Sequence, residues 1–519
     1  MRAFRTVLEQ KIRERRQTLQ EFVDFAEVFA RENNEPGMIG VRHLQRLIAG
    51  RKPSGEPIGP SVQASTARLL ERIFELRIDE LLAAPELPEI AERHGPEWGS
   101  AALTAALDWL DEQAGWKPGT SRAEVRARLA GLDLGQLLDR GALRARVGRT
   151  ALTRALVDYY GDRGVYRASC GDVEVTASVV TCAEWLDLAC PLDGVHDGLA
   201  LARETGDRVL LDDIEASAAM SRLAEAVALG VRFRNLPLYR LTSIDFGPQG
   251  VRGSVGVVPF VEYALTSDLL EQELTDAVAA GGFETRTPLR DRNLRSLEAV
   301  YDLSRRTCAG GVLALCAIAR PQDQGRSRPD YALLVQERSG KVLNAAGRLA
   351  VIPKGFHQPL TDYRADAAVG ATLRRELEEE LFGRQDVDAT ADDARSAAPM
   401  HPGRWSEPMR WLGAEPGRLR MECTGFGLNL VSGNYEFASL VVIDDEEFWH
   451  RFGGQIEANW ETSGLRLYSS LDGELMSELI RDEAWSNEGL FALLQGLRRL
   501  REIGGDRVDF PPIEWRLSD

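Results

Sequence analysis

The pattern of apolar residues in this chain changes near residue 163, and this change limits the folds that the chain can adopt. Before that point they recur at helical spacing, as over residues 19–33 and 149–160. Beyond it, shorter runs rich in β-branched residues predict strands, as over residues 173–180 and 251–261. The sequence therefore predicts an all-α portion followed by a portion of mixed α and β structure.

With 519 residues, the chain is long enough for several domains. We predict a multidomain protein with an all-α domain over residues 1–85, a helical linker over 86–162, an α+β region of unknown role over 163–304 and an α/β domain over 305–519. In the third segment, the sequence Gly-Pro-Gln-Gly at 247–250 predicts the turn of a β-hairpin. The linker contains no recognisable catalytic constellation.

The charge of the chain excludes one class of protein and locates one candidate surface. With 63 Lys and Arg against 80 Asp and Glu, the net charge of −17 excludes a generally basic nucleic-acid coat protein, because the whole molecule repels polyanions. Residues 1–52 differ, since they hold eleven Lys and Arg against seven Asp and Glu, a local charge of +4. Within them, residues 40–52 contain four cations and no acid. We therefore expect an anionic partner to bind at the N-terminal end.

The cysteines and the apolar stretches indicate the cellular setting. No two of the six cysteines are at Cys-x-x-Cys spacing, so neither a zinc knuckle nor a redox pair is predicted. The N-terminal residues lack the apolar region of a signal peptide. No uninterrupted apolar stretch approaches the roughly 18 residues of a membrane span. We therefore expect a cytoplasmic protein that has no membrane partner.

The N-terminal segment contains a short predicted helix over residues 41–49, a loop rich in Gly and Pro, and two further helices near 65–74 and 78–82. The sequence VRHLQRLIAGRKPSGEPIGP, at 41–60, and the following ARLLERIFELRIDELLAAP, at 67–85, resemble the helix-turn-helix domain of the lambda-repressor-like (Xre) regulators of actinobacteria. The resemblance implies that the helix over 41–49 enters the major groove of double-stranded DNA, and that the protein is a homodimer on a two-fold operator.

Carried over by position, the resemblance assigns DNA contacts to polar residues on and just after this helix. Arg and Gln side chains suit the edges of guanine and adenine, and cations after the helix suit phosphates. The candidate DNA-binding residues are Arg42, His43, Gln45 and Arg46 on the helix and Arg51 and Lys52 after it. In the same helix, Leu44 and Leu47 are expected to face the domain core. The alternative is a small helical bundle whose polar face is solvated or docks another protein.

The C-terminal segment contains predicted strands over residues 311–319, 331–337 and 349–355, followed by a helix over 365–381. That helix carries the sequence Arg-Glu-Leu-Glu-Glu-Glu. The order of these elements and the helix sequence resemble the Nudix fold over residues 305–515. The resemblance implies a layered α/β/α domain.

Three carboxylates of this helix are candidate metal ligands. The spacing i, i+3 and i+4 predicts that Glu376, Glu379 and Glu380 lie along one helix face. Clustered carboxylates offer the oxygen ligands that Mg²⁺ prefers, and Mg²⁺ is the cofactor that the resemblance implies. However, Ala367 and Thr361 occupy the positions where the family motif has Glu and Gly. This departure predicts a degenerate domain whose metal site is incomplete.

Two main functions follow from these features. The first is a transcriptional regulator in which the helix-turn-helix binds double-stranded DNA and the degenerate Nudix-like domain senses a small phosphorylated or nucleotide-like effector. The second is an enzyme, a Mg²⁺-dependent Nudix-type hydrolase of nucleoside-diphosphate-linked substrates. A protein-interaction scaffold is a weaker third alternative, since the sequence has no internal repeats or low-complexity tracts.

Overall fold

The computed structural model divides into two compact units, Met1–Gly95 and Pro96–Asp519, which are described separately below. This division agrees with the expectation of a multidomain chain. The residues described are 6–14, 19–32, 39–40, 43–44, 47, 64–74, 76–83, 100–202, 210–231, 234–281, 287–322, 328–338, 347–384, 399–453 and 462–518.

The described part of the N-terminal unit is helical. Its helices are α1 (Val7–Glu14), α2 (Leu19–Glu32), α3 (Ala64–Phe74) and α4 (Ile78–Leu82). The helices predicted near 65–74 and 78–82 are thereby confirmed. The start of α1 is joined to the residue after α4, because the amide of Val7 donates a hydrogen bond to the carbonyl of Ala83 at 3.0 Å.

These helices enclose one apolar core. The rings of Phe22 and Phe74 stack in it with their centroids 5.5 Å apart. Leu44 and Leu47 are buried in the same core, as the sequence predicts. The buried residues are Leu8, Ile12, Phe22, Ala26, Ala30, Ile39, Leu44, Leu47, Leu69, Leu70, Ile73 and Leu81.

The larger unit begins with helices α5 (Ala101–Gln113), α6 (Thr120–Gly131), α7 (Leu134–Ala145) and α8 (Arg149–Tyr160). The side chain of Ser100 caps α5 and that of Asp133 caps α7, since each accepts a bond from a backbone amide of the first turn. Leu110, Val125 and Leu156 are buried in the same core as residues from the rest of this unit. The helices of the predicted linker are therefore an integral part of the larger unit.

Ten further helices are described in the larger unit. They are α9 (Asp213–Ala228), α10 (Phe260–Ala264), α11 (Asp268–Ala279), α12 (Pro288–Asn293), α13 (Leu297–Tyr301), α14 (Val369–Glu376), α15 (Glu407–Ala414), α16 (Glu446–Phe452), α17 (Gly473–Arg481) and α18 (Asn487–Ile503).

The strands of the larger unit form two sheets. They are β1 (Val165–Cys170), β2 (Val173–Val180), β3 (Cys190–Pro191), β4 (Ala200–Leu201), β5 (Pro237–Gly247), β6 (Gly250–Pro259), β7 (Gly310–Arg320), β8 (Asp330–Arg338), β9 (Leu349–Val351), β10 (Lys354–Phe356), β11 (Leu419–Asn429), β12 (Tyr435–Ile443), β13 (Thr462–Ser469) and β14 (Ile513–Arg516). The large mixed sheet has the order β13-β8-β7-β12-β11-β2-β1-β14, with β9, β10 and β3 paired to β8, β7 and β11.

The large sheet joins residues from both sides of the segment boundary predicted at 304/305. β2 pairs with β11, and β1 pairs with β14, so residues 165–180 belong to the same sheet as the C-terminal strands. The sequence does not indicate these pairings, because their partners lie hundreds of residues apart along the chain. Segments 163–304 and 305–519 therefore share one sheet within one compact unit.

Each face of the large sheet is covered by apolar packing. On one face, Leu313 of β7 and Leu440 of β12 pack with α18. On the other face, Val312 and Phe437 pack with residues of α14, such as Leu373. This layering explains why β7 and β12 read as almost continuous apolar runs.

The small sheet has the order β4-β6-β5, and its hairpin confirms the turn predicted at 247–250. Gly250 has φ of +99°, and a Cβ atom there would lie 2.0 Å from the carbonyl oxygen of His196. Only glycine is compatible with this turn. Among the described residues, no helix has both the length and the apolar character that crossing a membrane requires.

We expect Leu70→Ala to lower the free energy of unfolding of the N-terminal unit and to leave that of the larger unit unchanged. Leu70 is fully buried in the core of the smaller unit, so its truncation should cost about 2–5 kcal/mol. All ten tryptophans lie beyond residue 95, so their fluorescence reports only the larger unit, whereas far-UV circular dichroism reports both. Urea unfolding should show an earlier dichroism transition and an unchanged fluorescence transition. Equal shifts of both signals would contradict the independence of the two cores.

Candidate functional site

The predicted DNA-binding residues fall mostly outside the described part of the chain. His43 is described, and it is half-buried next to the buried Leu44. The amides of His43 and Leu44 both donate to the carbonyl of Gly40 at 2.9 Å, so helical hydrogen bonding begins at Gly40. The other candidates, Arg42, Gln45, Arg46, Arg51 and Lys52, lie outside the described residues.

The helix with the predicted metal ligands is not a regular α-helix throughout. α14 ends at Glu376 and continues as one π-helical turn, Leu377–Leu381. The amide of Phe382 closes this turn on the carbonyl of Leu377 at 3.1 Å. Because a π turn has i to i+5 hydrogen bonds, α-helical spacing does not describe the side chains that it carries. The single helix predicted over 365–381 is corrected accordingly.

Two of the candidate ligands, Glu376 and Glu380, are buried and contact β10 or its neighbours. Oε1 of Glu376 accepts a hydrogen bond from Nη2 of Arg375 at 3.1 Å. The same carboxyl group lies against Gly355, where a Cβ atom would be 2.1 Å from Cδ of Glu376. Oε2 of Glu380 accepts the backbone amide of Lys354 at 2.6 Å. Both carboxylates therefore help to fix the start of β10 against the helix.

The π-helical turn carries two further carboxylates, those of Glu378 and Glu379. Glu378, which the family motif does not single out, is fully buried and accepts the amide of Ser406 at 3.0 Å. Burial raises the pKa of Glu378, against the opposing effects of Ser406 and Arg384. Glu379 is half-buried. In the described ranges, no three His, Cys, Asp or Glu residues are grouped to hold a metal ion. The role of Glu376, Glu379 and Glu380 as metal ligands stays a prediction from sequence.

A group of buried and half-buried polar residues lies at the end of the sheet where β7 and β12 begin. We call Lys354, Glu488, Asn429, Glu436 and Glu271 the Lys354 cluster. Nζ of Lys354 donates to Oε1 of Glu488 at 2.7 Å, and Nδ2 of Asn429 donates to Oε2 of Glu488 at 3.1 Å. Strands β10 and β11 and helix α18 supply these three residues. Glu488 is therefore bound on both carboxylate oxygens.

The cluster contains three carboxyl groups and one ammonium group, and burial raises the pKa of two of the carboxyl groups. Burial raises the pKa of Glu436 well above its ordinary value, and the neighbouring Glu488 adds to this effect. Burial likewise raises the pKa of Glu271 to about 7, with Asp268 and Glu488 acting in the same direction. Although burial opposes its ionisation, the Lys354 ammonium lowers the pKa of Glu488. The cluster thus holds one ion pair together with two carboxyl groups whose pKa is raised by burial.

A buried histidine connects β12 to the start of α14. Nδ1 of His357 lies 3.0 Å from the hydroxyl of Tyr435, and Nε2 lies 3.2 Å from the carbonyl oxygen of Ala367. Burial lowers the pKa of His357 to about 3. The imidazole is therefore neutral at physiological pH, and its contacts fix the approach to α14.

Sequence reasoning missed the Lys354 cluster, although one signal for it was present. Glu436 is a charged residue within the otherwise apolar strand β12, whose side chains are buried on both faces. A charge in such a strand requires a partner or protonation. Glu488 and Asn429 carry no comparable signal, because the positions that bring them together are set by the tertiary fold.

No protein-family model matches the chain, and no curated protein matches it in sequence. Its function is therefore inferred from its own residues and contacts.

We expect Glu271→Gln to change the pH dependence of stability. The pKa of Glu271 is about 7 in the folded chain, against an ordinary value of 4.5, so the folded state binds this proton more tightly. The resulting stabilisation is complete below pH 4.5 and is lost as the pH rises through 7. Relative to the variant, the wild-type chain should lose at most about 1.4 kcal/mol per pH unit over this interval.

Urea unfolding, followed by tryptophan fluorescence at several values between about pH 5 and pH 8, measures this difference. Glu474→Gln, which alters an exposed glutamate of α17, is the matched control and should follow the wild-type pH profile. A free-energy difference between wild type and Glu271→Gln that stays constant with pH would contradict the assignment.

Proposed function

We propose that this chain is a DNA-binding transcriptional regulator whose N-terminal unit binds an operator and whose larger unit binds a small-molecule effector. One observation carries the proposal. The N-terminal unit is a compact helical unit with an apolar core of its own, and its sequence includes the acid-free basic segment 40–52. A separate small helical unit with local positive charge is what a chain of strongly negative net charge needs to bind DNA.

The packing of the described residues supports a recognition helix that starts at Gly40. Leu44 and Leu47 are anchored in the core, whereas the neighbouring His43 is half-buried. Two buried leucines three residues apart fix one side of a helix to the domain. The DNA contacts of Arg42, Gln45, Arg46, Arg51 and Lys52 remain predictions from sequence.

For the larger unit, a degenerate Nudix-like sensory role is favoured over hydrolysis. β7, β8, β9 and β10 precede α14 in the order that the resemblance implies. The carboxylates of Glu376 and Glu380 are hydrogen-bonded to groups of the chain itself, to Arg375 and to the amide of Lys354. Metal-dependent hydrolysis requires carboxylates that are available to bind the metal. Because these two carboxylates instead fix β10 against the helix, a sensory role is favoured over hydrolysis.

We propose that the protein acts as a homodimer and that the effector shifts its population between dimer geometries. A ligand that binds one geometry more tightly favours that geometry by the difference in its binding free energies. The recognition helices of a dimer bind two half-sites only at one spacing, so a change of geometry alters operator affinity.

Operator binding is tested by selecting DNA sites from a random library and measuring Kd for the selected site by fluorescence anisotropy. Gln45→Ala and Arg46→Ala should each weaken binding about 5- to 150-fold and relax sequence preference, because each removes about 1–3 kcal/mol of base discrimination. Arg51→Ala should weaken binding to all sequences and reduce the salt slope by about 1.

Arg68→Ala is the matched control, because Arg68 is an exposed arginine on α3 of the same unit. It should bind the selected site like the wild-type chain. The DNA-binding proposal is wrong if no site is enriched at low salt, or if Arg46→Ala and Arg68→Ala bind equally well.

A further inference from the structure

A polar cavity of about 610 Å³ opens in the larger unit beside α11, α12 and β5. Its described lining includes four arginines and five Ser or Thr residues, but one carboxylate, that of Glu215. Cavities of about 300–1,000 Å³ are typical of small-molecule sites. The size and the lining of this cavity therefore suit a small polar ligand.

Two of the lining arginines, Arg240 and Arg306, carry charges that no carboxylate neutralises directly. Nε and Nη2 of Arg240 donate to the carbonyls of Arg306 and Ser304 at 2.9 and 2.5 Å. Nε and Nη2 of Arg306 donate to the carbonyl of Val300 at 3.1 and 2.9 Å, and its Nη1 donates to the carbonyl of Gly433. In the part of the chain that the structure describes, neither guanidinium forms an ion pair. Carbonyl dipoles hold them in place without cancelling their charge.

A third guanidinium adds to this positive charge from behind the cavity wall. Arg290 of α12 is fully buried and donates to the carbonyls of Leu430 and Val431 at 2.6 and 2.5 Å. It also donates to the carbonyl of Leu270, a lining residue, at 3.2 Å. Its Nε has no hydrogen-bond partner among the described residues. Arg290 therefore adds a buried positive charge next to the cavity, held mainly by backbone carbonyls.

The carboxylates near these arginines are bound to other groups. Glu262 accepts the hydroxyl of Thr307 at 2.6 Å, and burial raises its pKa against the opposing effect of Arg240. Glu273 accepts the backbone amides of Leu289 and Arg290 at 2.9 and 3.0 Å. The positive charge in the interior of the cavity is therefore only partly compensated.

At the rim the charges are balanced. Arg292 pairs with Asp212 at 2.7 Å, and the highly exposed Arg305 lies 3.6 Å from Asp302. Glu215 accepts the side-chain amide of Asn293 at 3.0 Å. The excess positive charge is thus concentrated within the cavity, around Arg240 and Arg306.

We propose that this cavity binds a phosphomonoester of sugar-phosphate or mononucleotide size. A phosphomonoester carries a charge of about −1.5 to −2 at neutral pH, which matches two guanidinium groups better than a monocarboxylate does. Arginine stays charged at every physiological pH, and the Ser and Thr hydroxyls supply neutral hydrogen bonds to the rest of the ligand. The role of this ligand as the effector rests on the proposed function, whereas its binding does not require DNA.

The test uses Ser304, because replacing Arg240 or Arg306 would also remove bonds that hold the backbone. Ser304 lines the cavity and is exposed, and its carbonyl, not its side chain, accepts the bond from Arg240. Ser304→Glu adds a carboxylate beside the guanidinium groups, and Ser304→Gln adds a neutral side chain of the same shape. Both lose the bond from the Ser304 hydroxyl to Asp302, so they differ only in charge.

Titration calorimetry on the full chain without DNA compares adenosine 5′-monophosphate, ribose 5-phosphate, adenosine and inorganic phosphate. The two phosphomonoesters should bind the wild-type chain measurably, and each should bind Ser304→Glu at least about tenfold more weakly than Ser304→Gln, because these two variants differ only in charge. Adenosine should not bind measurably. Circular dichroism and the thermal midpoint establish that both variants are folded.

Three results would overturn the proposal. The first is that neither phosphomonoester binds the wild-type chain. The second is that the esters bind folded Ser304→Glu as tightly as folded Ser304→Gln. The third is that inorganic phosphate binds as tightly as both esters. The last would reduce the cavity to an inorganic anion site. Because no DNA is present, these results stay distinct from a failure of operator binding, which would leave the ligand site unaffected.

Discussion

The parallel pairing of β7 with β12 is the contact on which the rest of the larger unit depends. Nine residue pairs hold the two strands in register, from Tyr435 opposite Gly310 to Ile443 opposite Ile318. Helix α18 covers one face and α14 the other, so both strands are buried on both sides. At Gly310 a Cβ atom would lie 2.0 Å from the carbonyl oxygen of Tyr435, so glycine permits this close approach. Because the centre of the sheet is apolar, charged groups collect where its strands begin and end.

Two different physical solutions stabilise the charges at this end of the sheet. Lys354 and Glu488 form an ion pair, which offsets the desolvation of both groups, and burial raises the pKa of Glu436. The guanidiniums of Arg290 and Arg306 instead bind backbone carbonyls, whose dipoles solvate a positive charge but do not neutralise it. The first solution leaves little net charge, whereas the second retains a positive potential. Whether a charge is neutralised by an opposite charge or only solvated by carbonyls, more than the number of charged residues, distinguishes the structural cluster from the proposed ligand site.

Local features of the fold were predictable from sequence, and long-range ones were not. Helix α3 and the hairpin turn at 247–250 follow from periodicity and turn residues, which depend on neighbours in the chain. The pairing of β1 with β14 joins residues near 168 to residues near 515, and no local pattern encodes it. The same limit applies to the candidate site. The string of glutamates at 376–380 is visible in the sequence, but the contacts of Glu376 with Gly355 and of Glu380 with Lys354 are tertiary.

The connection between β11 and β12 links the two kinds of charge. Asn429, the last residue of β11, donates to Glu488 in the Lys354 cluster, while the carbonyls of Leu430, Val431 and Gly433 accept bonds from Arg290 and Arg306. Carbonyls in a strand connection have no ladder partner, so they are available to solvate cations. The carboxylates therefore lie beside α18 and the guanidiniums near α12. Both groups contact the same short connection, the carboxylate of Glu488 at Asn429 and the guanidiniums at residues 430–433. Because this separation prevents the acids from neutralising the arginines, a chain with a net charge of −17 can retain a positively charged cavity.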